Sequence, residues 1–305
     1  MDGHGIEITG LRKHFGAVKA VDGIDLRVAP GEIYGLLGPN GAGKTTTIRS
    51  LLRYLNPTGG TALVLGGDAR DRAIRRRIGY LPGDLRLEPK AKVMSLLNFY
   101  ADLRGGVDDA FLNELCERLA LDTSRKFGEL SKGNRQKVGV VQAVMHRPDV
   151  LVLDEPTSGL DPLMQREVLR MVGERRDEGA AVLFSSHIIF EVESAADRVG
   201  IMRSGTMVVQ DTVEGLQRLT ARQSMHVRFE REVAASDFDG VPGLVSVWAD
   251  ERSADIVIAG RAAPVLGRLA ELGATHISTD PLVLDDIFYG VYDRTGQAAG
   301  QEEER

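Results

Sequence analysis

Gly38-Pro-Asn-Gly-Ala-Gly-Lys-Thr-Thr46 is a glycine-rich turn that closes on a lysine and two threonines. The apolar stretch Glu32-Ile-Tyr-Gly-Leu-Leu37 precedes it, and the helix-like Thr47-Ile-Arg-Ser-Leu-Leu-Arg-Tyr-Leu55 follows. Strand, turn and helix in that order is the frame that a phosphate-binding loop requires. Glycines let successive backbone N–H groups curl around a polyphosphate, and the helix N-terminus adds the positive end of its dipole. Lys44 has the reach for terminal phosphates, and the Thr45 hydroxyl is a ligand that Mg²⁺ accepts.

Residues 6–220 alternate strand-like and helix-like segments. Ile6 to Thr9 and Gly23 to Val28 alternate apolar and polar residues, as half-exposed strands do. Tyr34 to Leu37, Val150 to Leu153 and Ala181 to Phe184 are continuous apolar runs, which suit buried parallel strands. Ala91 to Leu103, Ala110 to Ala120, Gln136 to Met145 and Pro162 to Arg176 read as helices. This is an α/β pattern with a mainly parallel core. From about residue 221 the character changes to short strands with helices at Pro264 to Leu272 and Leu282 to Tyr292. We therefore expect a small α+β domain over 221–295 and a disordered polar tail over 296–305.

The chain has 305 residues, a net charge of −6 and one cysteine. The acidic balance argues against nucleic acid as a main partner. A single Cys116, at helical spacing with apolar neighbours, excludes an intramolecular disulfide and reads as a buried core thiol. The four arginines within Arg72 to Arg77 read as a solvated helix face. No apolar run approaches the roughly 20 residues of a membrane span. The N-terminus lacks the pattern of a secretory signal, so we expect a cytosolic chain.

Four further stretches carry chemistry. Val150-Leu-Val-Leu-Asp-Glu155 ends a buried strand on two carboxylates. Open α/β sheets bind ligands beyond the C-terminal ends of their strands. Asp154 is thus placed for the Mg²⁺ of a nucleotide, and Glu155 for activating a water. Ala181-Val-Leu-Phe-Ser-Ser-His187 delivers an imidazole in the same way. Ser158-Gly-Leu-Asp161 follows the acidic turn directly. In Leu130-Ser-Lys-Gly-Asn134 the Ser and Gly read equally as a helix cap or as an anion site.

In order and type these stretches resemble the nucleotide-binding subunits of ATP-binding cassette (ABC) transporters, over residues 6 to about 220. Gly38 to Thr46 resembles the Walker A loop, with Gly38, Asn40, Gly41, Gly43, Lys44, Thr45 and Thr46 on ATP. Val150 to Glu155 resembles Walker B, Asp161 the D-loop aspartate, His187 the switch histidine and Leu130 to Asn134 the signature. Phe15 falls where the family stacks an aromatic on adenine. The resemblance implies a P-loop cassette over 1–220, with an antiparallel β subdomain and a helical subdomain at about 84–147. It also implies a head-to-tail dimer, in which Ser131, Gly133 and Asn134 meet ATP held by a second copy. Glu155 and His187 become the catalytic pair, with Thr45 and Asp154 on Mg²⁺.

Two departures stand out. Gly83 occupies the place of the family's metal-ligating glutamine, which leaves Asp84 or water to substitute. Asn134 and Lys132 replace the signature's glutamine and glycine. Gly79-Tyr-Leu-Pro-Gly83, Ser131 to Gln136 and Leu284 to Tyr289 are similar to exporter cassettes of the drug-resistance type. The function implied is an ATPase at the cytoplasmic membrane face, powering export of a small molecule, drug or lipid through a separate permease. The competing reading is a soluble ATPase that remodels a ribosome or DNA complex.

Overall fold

The computed structural model describes residues 4–215 and 222–279. The chain forms two compact units that divide between Val213 and Glu214, slightly upstream of the compositional change.

In the first unit, numbered along the chain, β3 (Ile33–Leu37), β5 (Ile78–Leu81), β6 (Val150–Asp154), β7 (Ala181–Ser186), β8 (Arg198–Arg203) and β9 (Thr206–Thr212) form one sheet. Its order is β5-β6-β7-β3-β8-β9, parallel except for β9 at the edge. β3, β6 and β7 are buried at every position, which is why they read as unbroken apolar runs. A second sheet is antiparallel, in the order β2 (Val18–Val28), β1 (Ile6–Phe15), β4 (Gly59–Val64). Ile6, Ile8 and Leu26 from this sheet share a core with Leu36, Val152 and Leu183 of the first, closed by Ile48 and Leu51 of α1 (Lys44–Leu51).

The short α2 (Arg72–Arg76) exposes the arginine run, as expected, and turns Ile74 toward the core. α3 (Val93–Arg104), α4 (Asp109–Arg118) and α5 (Lys132–Val144) occupy the expected helical stretch. Arg118 ties α4 to α6 (Pro162–Asp177) through Glu167 at 2.7 Å and Glu174 at 2.8 Å. α7 (Ile189–Ala195) follows β7. Among the described residues no helix is long and apolar enough to cross a membrane.

The second unit is a four-stranded antiparallel sheet in the order β11 (Leu244–Asp250), β12 (Ser253–Ala259), β10 (Arg222–Phe229), β13 (Ala274–Thr279). With a 3-10 turn at Ala235–Phe238 and α8 (Ala263–Glu271), the element order is that of a split β-α-β motif. Val227, Ile256, Val265, Leu269 and Phe238 form its core, on the helix side of the sheet. Trp248, on β11, is 82% exposed. The helix expected at Leu282 to Tyr292 and the tail at 296–305 lie outside the described residues.

Two helix starts differ from expectation for one reason. α1 begins at Lys44 rather than Thr47, and α5 at Lys132 rather than Gln136. In each, the functional loop runs straight into the first helical turn, capped by Gly43 and by Ser131. Residues of both loops therefore stand at helix N-termini.

Cys116 is buried, and burial pushes its thiol up to about 11. The folded chain is expected to react with a thiol-alkylating reagent at pH 8 more than about tenfold slower than the urea-unfolded chain. Mass spectrometry of timed labelling reactions measures this directly.

Candidate functional site

Parallel register brings the chemistry together. Leu37 pairs with Ser186, Asp154 with Ser185, and Leu81 with Leu153. The segments that leave these strands, at Gly38, Glu155, His187 and Gly83, therefore start from one sheet edge. There they line a cavity of about 660 Å³ with Lys44, Thr45, Asp154 and Ser158.

The loop after β3 is shaped by close approach. Gly43 has φ +109°, and a Cβ there would stand 2.5 Å from the Ala20 carbonyl oxygen. Only glycine accepts both conditions. Lys44 is 5% exposed and folds back over the loop. Its Nζ donates to the carbonyls of Gly38 at 2.5 Å and Pro39 at 3.2 Å, and lies 3.4 Å from Glu155 Oε1.

Asp154 ends β6 at 1% exposure. Its Oδ1 accepts from Thr45 Oγ1 at 3.1 Å and from Ser185 Oγ at 2.7 Å. Its Oδ2 is buried and makes no hydrogen bond. A Cβ added at Gly83 would lie 3.2 Å from that oxygen. A buried carboxylate oxygen without a donor costs free energy unless a cation meets it. With a threonine hydroxyl beside it, this donor set fits Mg²⁺, which uses few protein ligands and keeps its waters. Burial, and next the charge of Asp154, push the Tyr80 phenol up to about 12. Asp84 lines the same cavity as Asp154. Its exposed carboxylate accepts from Arg86 Nε at 2.8 Å.

Glu155 has φ +54°, a left-handed conformation that costs a non-glycine residue about 1–2 kcal/mol. The turn is held on both sides. Its N–H donates to the Ser185 carbonyl at 3.2 Å and to Ser185 Oγ at 3.1 Å, while its carbonyl accepts from Gln136 Nε2 at 2.8 Å. The side chain lies between Lys44 and His187, whose Nδ1 is 2.7 Å from Glu155 Oε2.

Other expected residues stand apart from the cavity wall. Ser131 caps α5, accepting from the Asn134 N–H at 3.3 Å, so its hydroxyl acts as a cap here. Asp161 caps α6. Gly133 packs closely on the turn after Glu155, where a Cβ would stand 2.5 Å from the Gly159 carbonyl oxygen. Phe15 ends β1 half-exposed, with Lys13 Nζ 4.8 Å from its ring centre. Lys132, the signature substitution, reaches the cavity, and its Nζ donates to Ser158 Oγ at 3.1 Å. Sequence reasoning gave no role to Gln136 or Ser185. Gln136 does signal itself, as a polar residue on the stripe that continues through Val140 and Ala143 on the buried face of α5.

The family model described as ABC transporter matches residues 21–158. YhaQ of Bacillus subtilis, an uncharacterized ABC transporter ATP-binding protein, is 37% identical over 233 residues, covering 75% of this chain and 78% of that one. The bacitracin transport ATP-binding protein BcrA of Bacillus licheniformis is 36% identical, covering 70% of this chain and 71% of that one. A solved ATP-binding subunit of an ABC transporter superposes with a TM-score of 0.65 at 28% identity, covering 70% of this chain and 92% of that one. The chain belongs to the ABC transporter family as an ATP-binding subunit, and it is an ATPase whose hydrolysis serves transport by a membrane permease.

Gln136→Ala removes the side-chain donor from the Glu155 carbonyl, which keeps the Ser158 N–H. It is expected to lower stability by about 1 kcal/mol and to slow ATP turnover. Urea unfolding and steady-state phosphate release measure the two effects.

Proposed function

We propose that this chain powers export of a small molecule, drug or lipid through a separate transmembrane permease, as a peripheral subunit on the cytoplasmic membrane face. The observation that carries the hydrolytic part is the placement of Glu155. A carboxylate in a strained turn stands between Lys44 and His187 on the wall of the cavity that the phosphate loop opens into. Strain of this kind, held by surrounding contacts, is a mark of functional sites. Export is supported by the drug-resistance-like stretches and by the transport role in BcrA's name.

In this reading Gly38, Asn40, Gly41, Gly43, Lys44, Thr45 and Thr46 bind the phosphates of ATP, and Phe15 stacks on its base. Glu155 takes a proton from the water that attacks the γ-phosphorus. His187 keeps the carboxylate aimed by donating to it. Thr45 and Asp154 are the residues that would hold Mg²⁺, which when bound draws negative charge from the phosphate oxygens.

Ser131, Gly133 and Asn134 stand at the N-terminus of α5 and are absent from the cavity wall that their own chain builds. We assign them, with Asp161, to the ATP of a second copy in a head-to-tail dimer. We take the cassette as 1–220, with its helical part at about 84–147, and the appended domain as 221–295.

Glu155→Gln keeps the shape of the side chain and loses the base. ATP turnover is expected to fall by about 100-fold or more, with an ATP-dependent dimer accumulating on light-scattering chromatography. Normal turnover by this variant overturns the assignment. Because Asp84 is paired with Arg86, Asp84→Ala is expected to leave the Mg²⁺ concentration for half-maximal ATPase within about twofold, whereas Thr45→Ala raises it well beyond that.

A further inference from the structure

Glu191 is a carboxylate 3% exposed in the first turn of α7, four residues after His187. It does not line the ATP cavity. Each of its oxygens accepts from a different buried hydroxyl: Oε1 from Thr157 Oγ1, and Oε2 from Ser186 Oγ at 2.5 Å. Thr157 and Ser186 are 3% and 0% exposed.

The two hydroxyls flank the hydrolytic pair: Thr157 lies in the turn that carries Glu155, and Ser186 ends β7 where the turn of His187 begins. Thr157 comes two residues after Glu155, in a turn where the Ser158 N–H donates to the Glu155 carbonyl at 3.2 Å and the Leu160 N–H to the Thr157 carbonyl at 3.1 Å. Ser186 directly precedes His187, and its Oγ also accepts from the Ile188 N–H at 2.9 Å. An ionised carboxylate only accepts, so both hydroxyl protons must turn toward it. Charge-assisted O–H···O⁻ bonds are short and about twice as strong as neutral ones. One buried group thus grips both turns from behind, while their leading residues meet at 2.7 Å in the cavity.

Resting on the roles proposed above for Glu155 and His187, we propose that Glu191 is a positioning residue for hydrolysis. It holds the turn of the base and the turn of the histidine in mutual register without touching ATP. Glu155 needs such support because its left-handed backbone is stable only when its surroundings fix it. Gln136 and Ser185 fix the carbonyl and N–H of Glu155 itself. Glu191 fixes the relation of that turn to its neighbour.

The test uses the full-length chain and compares Glu191→Ala, Glu191→Gln, Thr157→Val and Ser186→Ala. Each variant is measured for kcat, KM, binding of a fluorescent ATP analogue and thermal unfolding. Glu191→Ala is expected to lower kcat by about tenfold or more, with KM and analogue affinity within about twofold. Glu191→Gln keeps one acceptor oxygen and is expected to recover most of the loss. In a His187→Ala background the further loss from Glu191→Ala is expected to be much smaller than in the native chain, because one gripped partner is gone. If Glu191→Ala does not fold, Thr157→Val and Ser186→Ala each release one arm and undergo the same comparison.

The proposal is overturned if kcat stays within about twofold in the folded variants. It is equally overturned if the losses from Glu191 and His187 multiply independently, or if activity merely follows the folded fraction. Normal turnover by Glu155→Gln would remove Glu155 as the base, while the cycle with His187 would still decide whether Glu191 couples the two turns.

Discussion

The site depends on in-phase parallel pairing among β3, β5, β6 and β7. Parallel strands that start level also finish level, so their exits emerge along one edge. A one-residue slip of β6 against β7 would turn Asp154 to the other face of the sheet and break its bond with Ser185. Because β3, β6 and β7 are buried on both faces, such a slip is opposed by packing, since side chains would have to exchange places between two filled layers. The apolar runs beside the motifs are therefore what sets the distances between Lys44, Asp154, Glu155 and His187.

Around this edge the polar groups are arranged by mutual satisfaction. Asp154 accepts hydrogen bonds from the Thr45 and Ser185 hydroxyls on one oxygen and keeps the other free toward Gly83. The missing side chain at Gly83 thus opens space at the buried Asp154 oxygen that has no protein donor. Lys44 and His187 approach Glu155 from opposite sides, so its carboxylate is compensated although it stands in a tight turn.

Much of this was legible in the sequence because it is local. The loop from Gly38 to Thr46, the apolar strand ending in Asp154 and Glu155, and the strand ending in His187 each declare themselves within ten residues. Helix starts were misplaced where a functional loop doubles as the first turn, as at Lys44 and Lys132. β4, β8 and β9 gave weaker signals. β4 opens on Gly59-Gly60 and owes its strand geometry to the distant β1, while β9 is largely exposed along its length and is held by its hairpin pairing with β8. The bond of Gln136 to Glu155 spans 19 residues and that of Glu191 to Thr157 spans 34, distances at which residue type alone carries no pairing information. Asp84 lines the cavity, and its ion pair with Arg86 is a geometry that residue type alone did not give.

Trp248 is the only tryptophan in the chain, and it lies in almost complete contact with solvent on β11. The indole emission of the whole protein therefore comes from one wet position in the second unit. Unfolding moves that ring from water to water, so the optical signal usually followed in a denaturation experiment will change little even as the cassette core melts. Conversely, any shift of that emission toward the blue is an address as well as a signal, because it can only mean that something has covered this one strand.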